Sequence, residues 1–482
     1  MRQGGRAQVL RSVYYDTRRQ RLLRAGYRLS VRTQGRKRFQ DIEAPDGTMH
    51  SVSIPDRTTD GADGAPGRAS LGGTPLEGIL GDSVAGKLKP AFSIDIQRSA
   101  SVVYRAGSSI AASFDAGSIA AEGIVQPICE LRLELVAGAP AAVFDFAREL
   151  GSAVPLTLTL RPPGERGLRL LSARTDRPAG DHRSVDIHHA MTAREAADGI
   201  CRSCTAALLD NLTQLSSGGG RDALHRTRIG IRRLRALLWF LKPVFGTQAA
   251  ILSGRLRSLA QFLGGARELD VFCDQLLAPL RRDDPDAPGV EALFEVFDRR
   301  RQEEHEKVMA FVRSPAMLDF SLDIVDGLAT LSVSEPDAAG HPPWGERTVA
   351  GFARARLHGR LRAFLKESRH LQHCAPDRQH RIRVKAKKLR YAAEAFHPVL
   401  GGKRGRQLTA RLVQLQDLLG ELNDARVNRA IALAYARERA GDGGNEAALF
   451  AAGLAAATCS FEPTAMLDRA AEARDELAAL AR

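Results

Sequence analysis

Residues His225 to Arg235 read His-Arg-Thr-Arg-Ile-Gly-Ile-Arg-Arg-Leu-Arg, five arginines and a histidine with no acid among them. The pattern returns at His380 to Arg390 as His-Arg-Ile-Arg-Val-Lys-Ala-Lys-Lys-Leu-Arg. His225, Arg228, Arg232, Arg233 and Arg235 correspond in spacing to His380, Arg383, Lys387, Lys388 and Arg390. Guanidinium forks and ammonium point charges at such density suit the oxygens of phosphate or another polyanion. They supply neither a nucleophile with its base nor a set of metal ligands.

A helix is the element that would position them. At about 100° per residue, His225, Arg228, Arg232 and Arg235 share one side and Arg233 flanks them. Ile231, Leu234, Leu237, Leu238 and Leu241 fall on the other side. In the second copy Leu389, Ala392, Ala393 and Phe396 lie opposite His380, Arg383, Lys387 and Arg390. Each copy is therefore an amphipathic helix with a core face and a cationic face. Like charges at i,i+3 and i,i+4 repel, so a face that accepts them twice without an interleaved acid is built to meet an anion. The competing reading is a solvated surface, and the repetition at matched spacing weighs against it.

The whole chain bounds the partner. Its 482 residues, 44% hydrophobic and 26% charged, suit a globular protein of two or three domains. A net charge of +14 points to a polyanionic partner. The charge is shared evenly, +7 in residues 1–183 and +7 in the remainder, so only local clustering singles out a site. Aromatics make up 5% and are few among the two cationic runs, which counts against a single-strand nucleic-acid binder that needs stacking platforms. Of six cysteines only Cys201 and Cys204 are close, and they read as two small apolar residues one turn apart, not as a metal or redox pair. The longest apolar run, Ala447 to Cys459, is too short to span a bilayer. With no signal peptide and no disulfide framework, the expected location is cytoplasmic, with no membrane partner.

Two architectures follow in order. The first 170 or so residues are rich in strands: Tyr27 to Arg32, Ser93 to Arg98, Ser101 to Arg105, Ile128 to Val136 and Leu156 to Leu160, with a helix at Ala139 to Leu150 and a long loop at Asp56 to Gly86. Ser172 to Asp186 reads as a linker. Helical periods then take over, opened by the capping box Thr192-Ala-Arg-Glu195. Gly264 to Val271 closes a helix 39 residues past His225, and Leu419 to Val427 closes its counterpart, Gly420 lying 40 residues past His380. The repeat thus spans whole helical pairs. The expected fold is an α+β two-part chain: an antiparallel β domain over 1–171, a linker at 172–183, and an all-α duplicated bundle over 184–482, with four helices per copy and repeats at about 184–334 and 345–482.

The doubled His-x-x-Arg-x-x-x-basic-basic-x-Arg pattern and its downstream Gly-Ala-Arg-x-Leu-Asp-Val type of segment resemble the CHAD domain over about 184–482. That resemblance implies two four-helix bundles related by a pseudo-twofold axis, which bind inorganic polyphosphate and in some members sit on polyphosphate granules. It would make the ten residues of the two runs the polyanion contacts. Arg267 and Asp270 match the first downstream motif, where the second copy has Asn423 and Arg426. Each histidine either titrates near neutrality or serves only as a hydrogen-bonding residue inside the bundle.

The N-terminal part is similar to the CYTH family, the triphosphate tunnel enzymes, over about 9–171. Ser12 to Thr17, Leu23 to Gly26, Leu29 to Arg32, Pro90 to Arg98 and Cys129 to Gly138 carry the likeness. It implies an antiparallel β-tunnel whose inward bases hold a triphosphate and whose glutamates hold Mg²⁺ or Mn²⁺. The departures are heavy. The family's opening Glu-x-Glu-x-Lys strand is absent before Ser12, Ser30 stands for an arginine, Glu43 for a lysine, and Arg132 sits between Glu130 and Glu134. Pro162 and Pro163 stand where the family has Ser-Lys. The expectation is an incomplete, degenerate tunnel with an open sheet edge. Arg32, Arg98, Glu130 and Glu134 are then its vestigial residues, with no catalytic residue, no metal site and no cofactor. Three functions are consistent with the sequence: a polyphosphate-binding protein first, a metal-dependent triphosphatase second, a nucleic-acid binder third.

Overall fold

The structure, a computed structural model, describes residues 7–45, 48–54, 66, 71–80, 88–172, 187–329, 343–441, 446–459 and 463–481. The chain divides into two compact units, Met1–Val154 with Leu160–Asp181 and Pro155–Thr159 with His182–Arg482. The residues expected to form the linker lie, from 173 to 186, outside the described residues.

The first unit is one seven-stranded antiparallel sheet. Its strands are β1 (Gln8–Thr17), β2 (Arg28–Gln34), β3 (Lys37–Glu43), β4 (Met49–Ile54), β5 (Leu88–Arg105), β6 (Ser108–Ala121) and β7 (Ile124–Ala137). They run in the order β4-β3-β2-β1-β5-β6-β7, so the sheet is open, with β4 and β7 as its edges. Two-residue loops join the long strands β5, β6 and β7. Ala106-Gly107 and Glu122-Gly123 both take positive φ, at 43° and 73° and at 46° and 84°. Those are the torsions a tight hairpin with right-handed strand twist demands. Two helices follow, α1 (Ala141–Ala153) and α2 (Pro163–Ser172).

Several expectations are corrected here. Ser93–Arg98 and Ser101–Arg105 form one continuous strand, because Ser99 and Ala100 stay in register with Phe114 and Ser113. Leu156–Leu160 adopts no regular structure, and its first four residues belong with the helical unit, where Leu158 packs on the core. The expected loop from Asp56 to Gly86 contains a short helix at Leu76–Leu80 that buries Leu76 and Leu80; most of its remainder lies outside the described residues. Strands β1, β3, β4 and β6 and helix α2 were not among the expected elements.

The second unit is helical. Its first half holds α3 (Ala193–Ser216), α4 (Gly220–Phe240), α5 (Gln248–Phe262), α6 (Gly264–Phe272), α7 (Val290–Val312) and α8 (Pro315–Ala329). Its second half holds α9 (Val349–Glu367), α10 (Pro376–Ala395), α11 (Gly402–Gly441), α12 (Glu446–Thr458) and α13 (Pro463–Ala481). The capping box forms as expected: the Glu195 amide donates to the Thr192 hydroxyl at 3.2 Å and the Thr192 amide to the Glu195 carboxylate at 2.8 Å. Thr348 caps α9 with its hydroxyl alone, accepting from the Gly351 amide at 3.3 Å. The two caps pair as an isolated antiparallel bridge, Thr192 with Thr348.

The repeat is visible in the core as well. Phe240 ends α4 and Phe396 follows α10, and their rings meet at 5.3 Å with Phe352 against both. One hydrophobic core draws on both halves: Leu234 and Leu237 from α4, Leu389 and Ala392 from α10, Leu256 from α5, Leu415 from α11. A second, smaller core gathers Phe272, Phe297, Tyr435 and Ala452. The glycine-led segments do not close helices, contrary to expectation. Gly264 opens α6 after α5 breaks at Leu263, while Leu419–Val427 runs through the middle of the 40-residue α11.

The magnitudes favour helices with one cationic face. Ile231, Leu234, Leu237, Leu238 and Leu241 are each no more than 1% exposed. Each such side chain contributes about 2 kcal/mol. A like-charge pair along the opposite face costs roughly 0.5 kcal/mol, so core burial wins.

Candidate functional site

Helices α4 and α10 pack against each other, which brings the two histidine motifs together. All ten motif residues fall on these two helices, and all but the exposed His380 are partly buried. Arg232 of the first copy acts electrostatically on both Arg383 and Lys387 of the second, so the copies form one continuous strip. Burial pushes Lys387 down to about 7, aided by Arg383, Arg232 and Arg390 and opposed by Asp424. Burial likewise lowers Arg228 to about 10, with Arg232 adding to the effect and Glu268 opposing it. His225 is lowered by burial first, then by Arg267, Arg232 and Arg228, with Asp222 opposing.

The downstream segments serve this strip symmetrically. Arg228 lies over Gly264, its Nη1 3.6 Å from where a Cβ would stand, and Arg383 lies over Gly420, its Nη2 at 3.8 Å. Glu268 of α6 faces Arg228. Asp424 of α11 accepts a hydrogen bond from Arg383 at 3.3 Å. Asn423 takes the place of Arg267: its Oδ1 lies 2.7 Å from His380 Nδ1, whereas Arg267 bears on His225 only through charge. The symmetry ends at the next motif position. Asp270 is fully buried, 2.9 Å from His305 Nε2 on α7, while Arg426 lines an open cavity.

Few carboxylates reach the middle of the strip. Among the described residues, no salt bridge holds Arg232, Arg233, Arg235, Lys387 or Lys388, and the buried Nε atoms of Arg232, Arg233, Arg235 and Arg383 have no hydrogen-bond partner. Two motif residues are differently placed. Arg233 sits beside the buried thiol of Cys204, and Arg390 is committed to Gln416 at 2.7 Å and Glu394 at 2.6 Å. Cys201 and Cys204 are both buried, and burial raises both thiols, as two core residues require.

Residues outside the two motifs extend the cationic surface. Arg257 of α5 bears on Arg235 and Lys388, and Arg360 of α9 also bears on Lys388. Arg360 and Lys388 both stand over the Trp239 ring, at 4.7 Å and 5.5 Å. Arg356 donates to the Phe240 carbonyl at 3.1 Å, and burial holds it down to about 10. The sequence carried a signal for the last pair: Arg356 and Arg360 stand four apart in a helix with no acid before its terminal Glu367.

The β unit treats its cations in the opposite way. Register places Gln8, Arg98, Asp115 and Glu130 in one cross-strand row. Asp115, 4% exposed, receives both Arg98 hydrogen bonds at 2.7 Å. Arg32 donates to Asp41 at 2.8 Å. Glu43 is ion-paired with Arg28. Helix α2 covers this face. Leu168 and Leu171 pack near Phe92, Ile94 and Ile119, Arg166 pairs with Glu130, and Glu165 bridges to Arg28 at 3.7 Å and Arg161 at 3.3 Å. Gly164 and Gly167 let it lie on the stacked Tyr14 and Phe92 rings; a Cβ at Gly167 would stand 2.2 Å from Phe92. A metal ion implied by the tunnel likeness does not fit: Glu130 is committed to Arg166, and the described residues hold no cluster of three or more metal-binding side chains.

Fold and strip together define an α-helical domain with a doubled cationic motif. Residues 199–433 match the CHAD domain family model, so the helical unit carries a CHAD domain. The crystal structure of the CHAD domain from the plant Ricinus communis superposes with a TM-score of 0.51 at 23% identity, covering 61% of this chain and 95% of that one. PptA from Streptomyces chartreusis gives a TM-score of 0.42 at 19% identity, over 60% of this chain and 100% of that one. An uncharacterized protein of Mycobacterium tuberculosis is 27% identical over 455 residues, 88% of this chain and 81% of the relative. No helix among the described residues is long and apolar enough to cross a membrane.

Proposed function

We propose that the helical unit binds inorganic polyphosphate along the strip formed by α4 and α10. The observation that carries this reading is the meeting of the two copies at Arg232, Arg383 and Lys387, with the buried Nε atoms of Arg232 and Arg383 lacking a partner among the described residues. A linear phosphate polymer presents regularly spaced oxygens and no base to read. Guanidinium and ammonium donors set along two packed helices match such a chain, and the CHAD domain matched here is a family associated with this ligand. The contacts in this reading are His225, Arg228, Arg232, Arg235, His380, Arg383, Lys387 and Lys388, with Arg233 and Arg390 in supporting positions. Residence on polyphosphate granules would follow from the same affinity.

The test is competition on the full chain between long-chain polyphosphate and RNA at matched ionic strength. Polyphosphate should win, with affinity falling steeply as salt rises; an equal or stronger RNA competitor would favour the nucleic-acid reading. The β unit is a degenerate tunnel in this account, so tripolyphosphate with Mg²⁺ or Mn²⁺ should release no phosphate.

A further inference from the structure

Strand β7 is an open edge of the sheet. Its 14 residues, Ile124–Ala137, pair with β6, and among the described residues no backbone hydrogen bond is made on the other side. Helix α1 leaves that edge uncovered, because it turns back across the sheet toward β5. The Ala139 amide donates to the Ser108 hydroxyl at 3.1 Å, and Arg105 at the end of β5 donates to Glu149 at 2.7 Å and stands 5.8 Å over the Phe146 ring. Cys129, Leu131, Arg132, Glu134 and Val136 all stay exposed, Val136 at 61%. A long edge with free N–H and C=O groups is a template for another strand.

The residues on this edge select which strand. Pro127 pairs with Ser118, and a proline in an edge strand turns the side without its N–H outward. Alternation then points the backbone groups of Cys129, Leu131, Leu133 and Leu135 outward as well. Between the leucines stand Arg132 and Glu134, two residues apart and so on one face. Neither has an ion pair among the described residues, whereas Glu130 is taken by Arg166. Charges of one sign would repel a second copy of the strand. Arginine and glutamate two apart do the reverse. When β7 meets itself antiparallel about Leu133, the Arg132 of each copy lies directly opposite the Glu134 of the other. Both pairs fall at non-hydrogen-bonded positions, where facing side chains are closest. Leu133 meets Leu133, and Leu131 meets Leu135, through backbone hydrogen bonds. The overlap covers residues 129–137 and stops short of Pro127, which has no N–H to give. A register centred on Leu131 would instead set Arg132 against Glu130, which Arg166 already holds. The other edge, β4, has six residues with no acid, lysine or arginine among them to specify a partner.

We infer that β7 is a homodimer interface, at which two copies of this chain join their sheets across a twofold axis at Leu133. The inference is independent of the polyphosphate reading, since none of its residues lies on α4 or α10. It gives Arg132 a role: the charge that breaks the glutamate row of the tunnel likeness is the one that selects a second copy.

The experiment is sedimentation velocity on the full chain without polyphosphate, over a series of protein concentrations. Wild type should sediment as a dimer that dissociates on dilution. Arg132→Glu and Glu134→Arg each turn two attractive pairs into two like-charge pairs, and each should weaken dimerisation about thirtyfold. The double variant Arg132→Glu, Glu134→Arg restores both pairs with the partners exchanged and should dimerise as wild type does. These charge substitutions are at exposed positions, so the fold is kept. In a Cys129→Ser background, Leu133→Cys should give a disulfide-linked dimer on mild oxidation, because facing hydrogen-bonded residues hold their Cα atoms about 5.5 Å apart. Leu131→Cys should not. A wild-type monomer at every concentration overturns the inference. So does a dimer that neither single substitution weakens, or one that the double variant fails to restore. Assemblies larger than a dimer would make β4 the partner edge and overturn it as well.

Discussion

The two units hold their cations on opposite terms. In the β unit the predicted cationic site residues meet acids on neighbouring strands: Arg98 meets Asp115, and Arg32 meets Asp41. Helix α2 then covers the face on which the Asp115–Glu130 row lies, with Arg166 on Glu130. In the helical unit Arg232, Arg235, Lys387 and Lys388 stand among other cations, and Lys387 is pushed down to about 7 by its burial and its neighbours. A paired arginine stabilises a fold and has little left to offer a ligand. An unpaired, half-buried one costs stability and keeps its donors for an anion. Net charge does not separate the two parts, since residues 1–183 and the remainder each carry +7; acid placement does.

The largest test of that contrast is removal of a matched cation. Arg98→Met leaves the Asp115 carboxylate buried without its partner and should cost about 3 kcal/mol in denaturant unfolding of the full chain, with polyphosphate affinity unchanged. A variant as stable as wild type would mean the pairing is idle.

The same change on the strip should do the reverse. Lys387→Met removes a buried charge, and the sign follows from linkage. Between about pH 7 and the ordinary lysine range the unfolded chain holds a proton that the folded one has released, so wild-type stability rises with pH through that window. The methionine variant should lose this rise, unfold at a higher temperature at pH 7, and bind polyphosphate about tenfold more weakly at pH 6. In wild type, affinity should fall as pH increases through 7, because the anion needs the ammonium form. A pH-independent affinity would remove Lys387 from the site.

A smaller effect sharpens the comparison from the acid side. Asp424 is the carboxylate on Arg383. Asp424→Asn should raise affinity by about twofold to threefold at pH 6, where Lys387 is charged, as expected for an exposed pair worth about 0.5 kcal/mol. Weaker binding would show that Asp424 positions Arg383 and does not compete for it.

Much of this was legible in the chain. The spacing of His225, Arg228, Arg232 and Arg235 against Leu234, Leu237 and Leu238 gave the helix, its faces and its repeat, because a 3.6-residue period shows in local sequence. The packing of α4 on α10, which merges two motifs into one strip, joins residues some 155 positions apart and leaves no local trace. For the same reason Arg257, contributed from α5, was missed. Strand β6 escaped because Ala111, Ala112, Ala116 and Gly117 have little strand preference of their own; two long neighbours hold it in register. Glu43 reads in sequence as a charge that would repel phosphate; beside Arg28 it is half of an ion pair, which only the register of β2 on β3 reveals.

The most direct test of the central claim is titration of long-chain polyphosphate into the full chain and into an Arg232→Glu, Lys387→Glu variant, across a salt series at pH 6. The two unpaired cations sit where the copies meet, so their reversal should weaken binding at least about a hundredfold and flatten the salt dependence, with the folded state kept. Equal affinity and equal salt slope in the two proteins would contradict the account: the strip would then be a solvated surface, and its unpaired cations no site at all.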